Sequence, residues 1–157
     1  MSGFAENTSV TPEKTKAEIE TTLRRYGADS FVSGWDNDRA FVMFCAKDRL
    51  IRFAITMPKR NDRKFTHTDT GKLRTQTQQV AEYEQAIRTY WRRLLLCIKA
   101  KLESVQTGIE SFEEAFLAQI VLPDQTTVGD WAKRELPAVY ASKTMPRPLL
   151  MLGPGQQ

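Results

Sequence analysis

The stretch FVSGWDNDRAFVMFCAKDRLIRFAITM, residues 31–57, contains three runs that are rich in aromatic and β-branched residues. Asp36-Asn37-Asp38 separates the first run from the second, and Lys47-Asp48 separates the second from the third. Short polar connections of this kind join neighbouring antiparallel strands. The stretch therefore predicts a three-stranded antiparallel meander.

The middle run, AFVMFCA at residues 40–46, is apolar at odd and at even positions, which point to opposite faces of a strand. A strand with one solvated face alternates apolar and polar residues, so this run needs cover on both faces. In the third run only one face is apolar, since Arg52 and Thr56 lie on the other. We expect the middle strand at the centre of the sheet, with its second cover coming from C-terminal helices or from the LLML run at 149–152.

Helices are predicted on both sides of the meander. Thr11 followed by Pro12 is typical of a helix start, and Gly27 marks its end. Apolar residues recur at helical spacing from Val80 to Val105. They predict one long helix over residues 76–107 without a break.

Shorter helices are expected after Gly108. Ser111 with Glu114 and Thr127 with Asp130 have the spacing of capping boxes, which satisfy free backbone groups at helix starts. Pro137 is predicted to interrupt or kink the last helix.

The predicted fold is α+β, with the order helix, three-stranded antiparallel meander, long helix and short C-terminal helices. A length of 157 residues fits a single domain over 1–157, with an ordered core at about 11–145 and flexible tails at 1–10 and 146–157. The expected core residues are Ile19, Leu23, Phe41, Phe53, Ile55, Ile87, Leu94, Ile98 and Phe116.

The formal charge of +4 has a local origin. The window Pro58–Arg74 contains six basic and two acidic residues, so it accounts for the entire net charge. Such a basic surface binds phosphates without reading their sequence. The candidate nucleic-acid-binding residues are Lys59, Arg60, Arg63, Lys64, Lys72 and Arg74, with Arg88, Arg92 and Arg93 on the long helix extending them. A solvated basic linker without a partner is the other interpretation.

No pattern of residues indicates catalysis. His67 is the single histidine and lies in a polar segment, and Cys45 and Cys97 stand in apolar runs that predict burial. Acidic residues in the turns, with Glu18 and Glu20 on the first helix, suggest a metal-dependent nuclease as an alternative, although turn geometry alone explains Asp and Asn there. We expect no enzymatic activity, no cofactor and no metal site.

No apolar run approaches the roughly 18 residues that span a bilayer, and no signal-peptide pattern occurs at the N-terminus. The sequence therefore predicts a cytoplasmic protein without membrane association. It does not indicate an oligomeric state.

The order helix, three-stranded meander, helix over residues 12–107 resembles that of the double-stranded RNA-binding domain. That family has a dense lysine-rich motif at the start of its second helix, and this sequence departs from it there, with GKLRTQTQQ and just Lys72 and Arg74. The resemblance implies recognition of A-form shape and of phosphates.

Two further segments, residues 34–58 and 98–124, resemble small uncharacterised proteins of bacteriophages and mobile elements. They read GWDNDRAFVMFCAKDRLIRFAITMP and IKAKLESVQTGIESFEEAFLAQIVLPD. This resemblance implies the cytoplasm of a bacterial host, where such proteins act on DNA metabolism or inhibit host defences.

Two functions follow as hypotheses. The first is a non-enzymatic accessory protein that binds duplex or single-stranded nucleic acid. The second is an anti-CRISPR-like inhibitor of a host defence or DNA-processing complex. Inhibitors that mimic nucleic acid are often acidic, and the positive charge of this chain favours the first hypothesis.

Overall fold

The computed structural model describes residues 3–36 and 38–144 and confirms the predicted α+β fold. Its elements, in chain order, are α1 (Pro12–Arg25), β1 (Ser30–Asp36), β2 (Arg39–Ala46), β3 (Arg49–Thr56), α2 (Arg63–Thr66), α3 (Gln76–Gln106), α4 (Phe112–Phe116), a 3₁₀ turn (Leu117–Gln119) and α5 (Val128–Ser142). The short α2 lies within the basic window and was not predicted. No helix among the described residues has the length and hydrophobicity needed to cross a bilayer.

The three strands form an antiparallel sheet in the order β1-β2-β3, with β2 at its centre as predicted. Lys47 and Asp48, in the turn between β2 and β3, have φ angles of 48° and 58°. Two consecutive residues with positive φ fit a two-residue hairpin turn whose twist matches the strands. Turn geometry therefore explains Asp48 without a role in metal binding.

One face of the sheet packs against α1 and α3. Val42 and Phe44 of β2 are fully buried on this face, in one cluster with Ile19 of α1 and Ile98 of α3. The predicted core is confirmed for six residues, which are Ile19, Leu23, Phe53, Leu94, Ile98 and Phe116. Ile55 and Ile87 are partly buried and pack against the same cluster.

Phe41 is the exception among the predicted core residues, because strand alternation places it on the opposite face from Val42 and Phe44. Its ring lies over Gly34 of β1, where a Cβ atom would come within 2.7 Å of the ring. Phe41 is only partly buried there.

The second face of the sheet is only partly covered. Arg52 of β3 forms an ion pair of 3.8 Å with Asp130 of α5. A cavity of about 680 Å³ remains between this face and α5, lined by Phe41 and Met43 among others. The C-terminal helices thus provide part of the predicted second cover, and the LLML run lies outside the described residues.

The outer edge of β3 is paired by a short segment that the sequence pattern did not reveal. Ile51 pairs with Ile120, and the backbone N–H of Val121 donates to the carbonyl of Leu50 at 2.9 Å. Val121 in turn pairs with Thr127, just before α5. This segment connects α4 to α5 and protects part of the exposed strand edge.

The long helix α3 is continuous through Trp91, which is 3% exposed, so the prediction of an unbroken helix is confirmed. The capping boxes at Ser111 and Thr127 are confirmed as well. Pro137 does not interrupt α5. The proline removes one hydrogen bond to the carbonyl of Lys133, but both residues are exposed, so water can bind that carbonyl.

The segment from Gly3 to Val10 lies along α3, although the sequence predicts a flexible tail over residues 1–10. The side-chain amide of Gln85 donates to the carbonyls of Glu6 and Thr8, at 2.9 and 3.0 Å. The Thr89 hydroxyl donates to the carbonyl of Ala5 at 3.2 Å. Because the segment contributes backbone carbonyls rather than apolar side chains, its sequence pattern did not reveal these contacts. The second predicted tail, 146–157, lies outside the described residues.

Candidate nucleic-acid interface

The segment from Pro58 to Arg74, called the basic loop below, has a defined backbone structure. After α2 it forms a small hairpin, in which His67 pairs with Leu73 and the N–H of Thr68 donates to the carbonyl of Lys72 at 2.8 Å. Gly71 provides the positive φ of 82° that the tight turn requires. These hydrogen bonds give the basic loop a folded backbone.

Phe65 fixes the basic loop to the rest of the fold. Its ring is 4% exposed and meets Tyr83 of α3 edge to face, with ring centroids 5.6 Å apart. Burial of an aromatic ring is among the larger contributions that one side chain makes to packing. The loop is thereby anchored against the first turns of α3.

Arg74 holds the two halves of the basic loop together. Its guanidinium donates to the carbonyls of Lys64 and His67, and it lies 3.8 Å from the Glu82 carboxylate. The side chain is 18% exposed. Of the six predicted cations of the loop, Arg74 therefore has a structural role.

The other five cations of the loop are exposed, and they are Lys59, Arg60, Arg63, Lys64 and Lys72. Within the described part of the chain, none of them has a carboxylate at ion-pair distance. We call these five residues the basic surface. Arg63 and the hairpin are neighbours, since the Arg63 guanidinium lies 4.0 Å from where a Cβ of Gly71 would stand.

The three arginines predicted to extend this surface along α3 have partners. Arg92 donates to the Glu18 carboxylate at 2.5 Å, and Arg93 donates to the carbonyl of Phe4 at 3.1 Å. Arg88 donates to Gln85 Oε1 at 2.8 Å. Because Glu18 belongs to α1, only the tertiary packing of α1 on α3 brings it to Arg92.

Glu18 joins α1 to α3 through two cations. Its carboxylate accepts from Lys99 at 2.6 Å and from Arg92 at 2.5 Å. The hydrogen bond from Lys99, followed by that from Arg92, lowers the pKa of Glu18. A lowered pKa stabilises the fold at neutral pH, and this stabilisation is lost as the pH falls through the lowered value.

We expect the substitution Glu18→Gln to lower the free energy of unfolding at pH 7 by about 1 kcal/mol, since the pair is partly exposed and screened by solvent. As the pH falls from 7 into the acidic range where wild-type Glu18 also becomes protonated, through its lowered pKa, the difference from wild type should shrink. Urea melts across this pH range measure it. Glu20→Gln is the control, because Glu20 pairs with Arg24 within α1 and does not join two helices. Equal losses for both variants at pH 7 would contradict a bridging role for Glu18.

The substitution Arg74→Lys tests the clamp while keeping its charge. A lysine cannot reach both carbonyls in the fork geometry of a guanidinium. Loss of hydrogen bonds from a charged donor should lower the free energy of local opening by about 1.5–3 kcal/mol. Hydrogen exchange of the backbone amides at positions 68 and 74 should then be at least about tenfold faster. Unchanged exchange at these amides would mean that Arg74 does not hold the loop.

The described side chains that were considered for catalysis or metal binding do not form a cluster. His67 Nδ1 lies 2.9 Å from the hydroxyl of its neighbour Thr66, the last residue of α2. In residues 3–36 and 38–144, no group of three or more His, Cys, Asp or Glu could hold a metal ion. The predicted burial of the cysteines is wrong for Cys97, which is exposed on the outer side of α3, and Cys45 is only partly buried.

A groove lies next to the basic loop, and no motif in the sequence predicts it. It has a volume of about 610 Å³ and is lined by residues from α1, the sheet and α3, together with Lys59 and Arg60 of the loop. Trp35, at the end of β1, lines it and is 77% exposed. The sequence feature that points to this groove is a tryptophan next to a turn rich in Asp and Asn. At the end of a strand, the core does not require a large apolar side chain.

Comparisons with known proteins add no constraint on this site. No family model matches the sequence, and no significantly similar curated protein or solved structure was found.

Proposed function

We propose that this protein is a non-enzymatic accessory protein that binds the phosphates of nucleic acids through its basic surface. The observation that carries the proposal is the contrast between two groups of cations. Arg88, Arg92 and Arg93 on α3 donate side-chain hydrogen bonds within the fold, whereas in the described chain the five cations of the basic surface neither donate a side-chain hydrogen bond nor reach a carboxylate. Uncompensated cations on an anchored loop are suited to an anionic ligand.

The anchoring of the basic loop supports binding in a second way. Phosphate binding is favoured by the release of condensed counterions. It is weakened when the protein must become ordered in order to bind. The buried Phe65 ring and the Arg74 clamp hold the loop backbone before a ligand arrives. The basic surface is thereby preorganised.

Titration of the wild-type protein tests this proposal. Fluorescence anisotropy with labelled duplexes of unrelated sequence, at several salt concentrations, should give equal affinities that fall as salt rises. The slope of log K against log salt is about −0.9 for each phosphate contacted on B-form DNA, so five contacts correspond to about −4.5. No binding to DNA or RNA at low salt would sink the proposal.

The alternative function is inhibition of a host defence complex or of a host nucleic-acid-processing protein. It is favoured by α5, which exposes Leu136 and Tyr140 at 48% and 79% on the same side of the helix. Exposed apolar side chains at helical spacing are typical of a helix that docks on another protein. The titration separates the two functions, because a pure inhibitor need not bind free nucleic acid. For both functions, the resemblance to phage and mobile-element proteins suggests the cytoplasm of a bacterial host.

A further inference from the structure

Trp35 is an exposed tryptophan on the side of the sheet that elsewhere forms the core. It pairs with Ala40 across the β1–β2 ladder, and paired residues point to the same face. Ala40 is 1% exposed, yet the Trp35 side chain is 77% exposed. A large aromatic ring left in water at the rim of a core is suited to contact a ligand.

The space beside Trp35 is a groove, which we call the tryptophan groove. It is lined by Trp35, Lys16, Lys59, Arg60, Tyr83 and Trp91, among others. Its volume of about 610 Å³ is within the range of small-molecule sites, which is roughly 300–1,000 Å³. Trp91 is buried at its floor, since this residue is 3% exposed.

Cations are fixed along the walls of this groove by neighbouring rings. Lys16 Nζ lies 4.7 Å from the centre of the Trp91 ring, and Arg60 Cζ lies 5.0 Å from the centre of the Tyr83 ring. Four basic residues line the groove against two acidic ones, and these are Lys16, Arg39, Lys59 and Arg60 against Glu13 and Asp38. An aromatic surface with cations around it matches a nucleobase joined to its phosphate.

We propose that the tryptophan groove binds an unpaired nucleobase of a single strand, stacked on Trp35, while Lys59 and Arg60 contact the adjoining phosphates. This inference rests on the proposed function and makes it more specific. Lys59 and Arg60 belong both to the groove and to the basic surface, so a strand that follows the basic surface leads into the groove. A base within a duplex is stacked and paired and cannot lie on Trp35, so single strands bind more tightly than duplexes at equal salt.

Anisotropy titrations with four probes at one salt concentration test the groove. The probes are oligo-dT, oligo-U, a duplex of equal length and an abasic strand that carries only sugar and phosphate. Wild type should bind oligo-dT and oligo-U more tightly than the duplex and the abasic strand. Trp35→Ala should weaken binding of the two base-carrying strands by roughly 5- to 150-fold, which is the usual effect of losing one stacking ring. Binding of the duplex and the abasic strand should stay unchanged.

Two control variants accompany Trp35→Ala. Tyr140→Ala removes an aromatic ring of similar exposure, 79%, from α5 outside the groove, and it should leave all four affinities unchanged. Trp35→Phe keeps an aromatic face and should lose less affinity than Trp35→Ala. Melting temperatures of all three variants should match wild type, since the substituted side chains are exposed.

The failures of the two proposals are distinguishable. If wild type binds none of the four probes, the proposed function fails and the groove proposal fails with it. If wild type binds but Trp35→Ala leaves oligo-dT affinity unchanged, or weakens all four probes equally, the proposed function stands and the groove proposal is overturned. The single-strand assignment would also be overturned if free thymidine monophosphate competed with oligo-dT and bound as tightly as the strand.

Discussion

The substitution Phe116→Ala should lower the free energy of unfolding by about 3–5 kcal/mol, the largest loss that we expect from any single change. Phe116 is fully buried at the junction of α4 with the sheet. Its ring meets Phe44 and Phe53 edge to face, at centroid distances of 5.8 and 6.3 Å. An alanine would leave a cavity among three elements and remove two favourable ring contacts, each worth about 0.5–1.5 kcal/mol beyond burial.

Leu117→Ala is the matched control for this prediction. Leu117 follows Phe116 in the chain and is 54% exposed. Its truncation should change the free energy of unfolding by no more than about 0.5 kcal/mol. Urea melts of both variants measure the difference. A loss below about 1 kcal/mol for Phe116→Ala would show that α4 does not contribute to the core.

A second large loss is expected from Leu94→Ala on α3. Leu94 is 7% exposed and belongs to the core cluster, and truncation of a buried leucine costs about 2–5 kcal/mol. Leu96 is the control, since it has the same side chain two residues further along the helix and is 40% exposed. Because helix propensity changes equally in both variants, their difference isolates burial. Similar melting midpoints for Leu94→Ala and Leu96→Ala would mean that the face of α3 assigned to the core is wrong.

The fold was largely predictable because its elements have local signals. Thr11 and Gly27 mark the ends of α1, and the capping boxes at Ser111 and Thr127 mark the starts of α4 and α5. The alternation in β3 identified its buried face, with Ile51 and Phe53 inside. The middle strand was harder, because a run that is apolar on both faces does not indicate which face is the core. Phe41 was therefore assigned to the core when Val42 was the correct choice.

The candidate site was less predictable, because its properties depend on contacts between distant residues. The charge of the basic loop is visible in the sequence. The folded conformation of the loop, however, depends on the packing of Phe65 on Tyr83. Likewise, no local pattern shows that Glu18 is the partner of Arg92, since 74 positions separate them. The exposure of Trp35 depends on how the first turns of α1 and the start of the basic loop lie around it, which only the folded chain defines.

The claim that the basic surface contacts phosphates can be tested by comparing two quadruple variants. The first replaces Lys59, Arg60, Arg63 and Lys64 with alanine. The second replaces four exposed cations elsewhere with alanine, and these are Arg25, Arg49, Lys133 and Arg134. Removing four positive charges from a net charge of +4 leaves both variants formally neutral.

The measurement is the slope of log K against log salt on B-form DNA, by fluorescence anisotropy, for wild type and both variants. For the first variant the magnitude of the slope should fall by about 3.6, since each lost phosphate contact removes about 0.9. For the second variant the slope should stay near that of wild type. Equal slopes for the first variant and wild type would contradict the claim and direct attention to Arg88, Arg92 and Arg93 on α3.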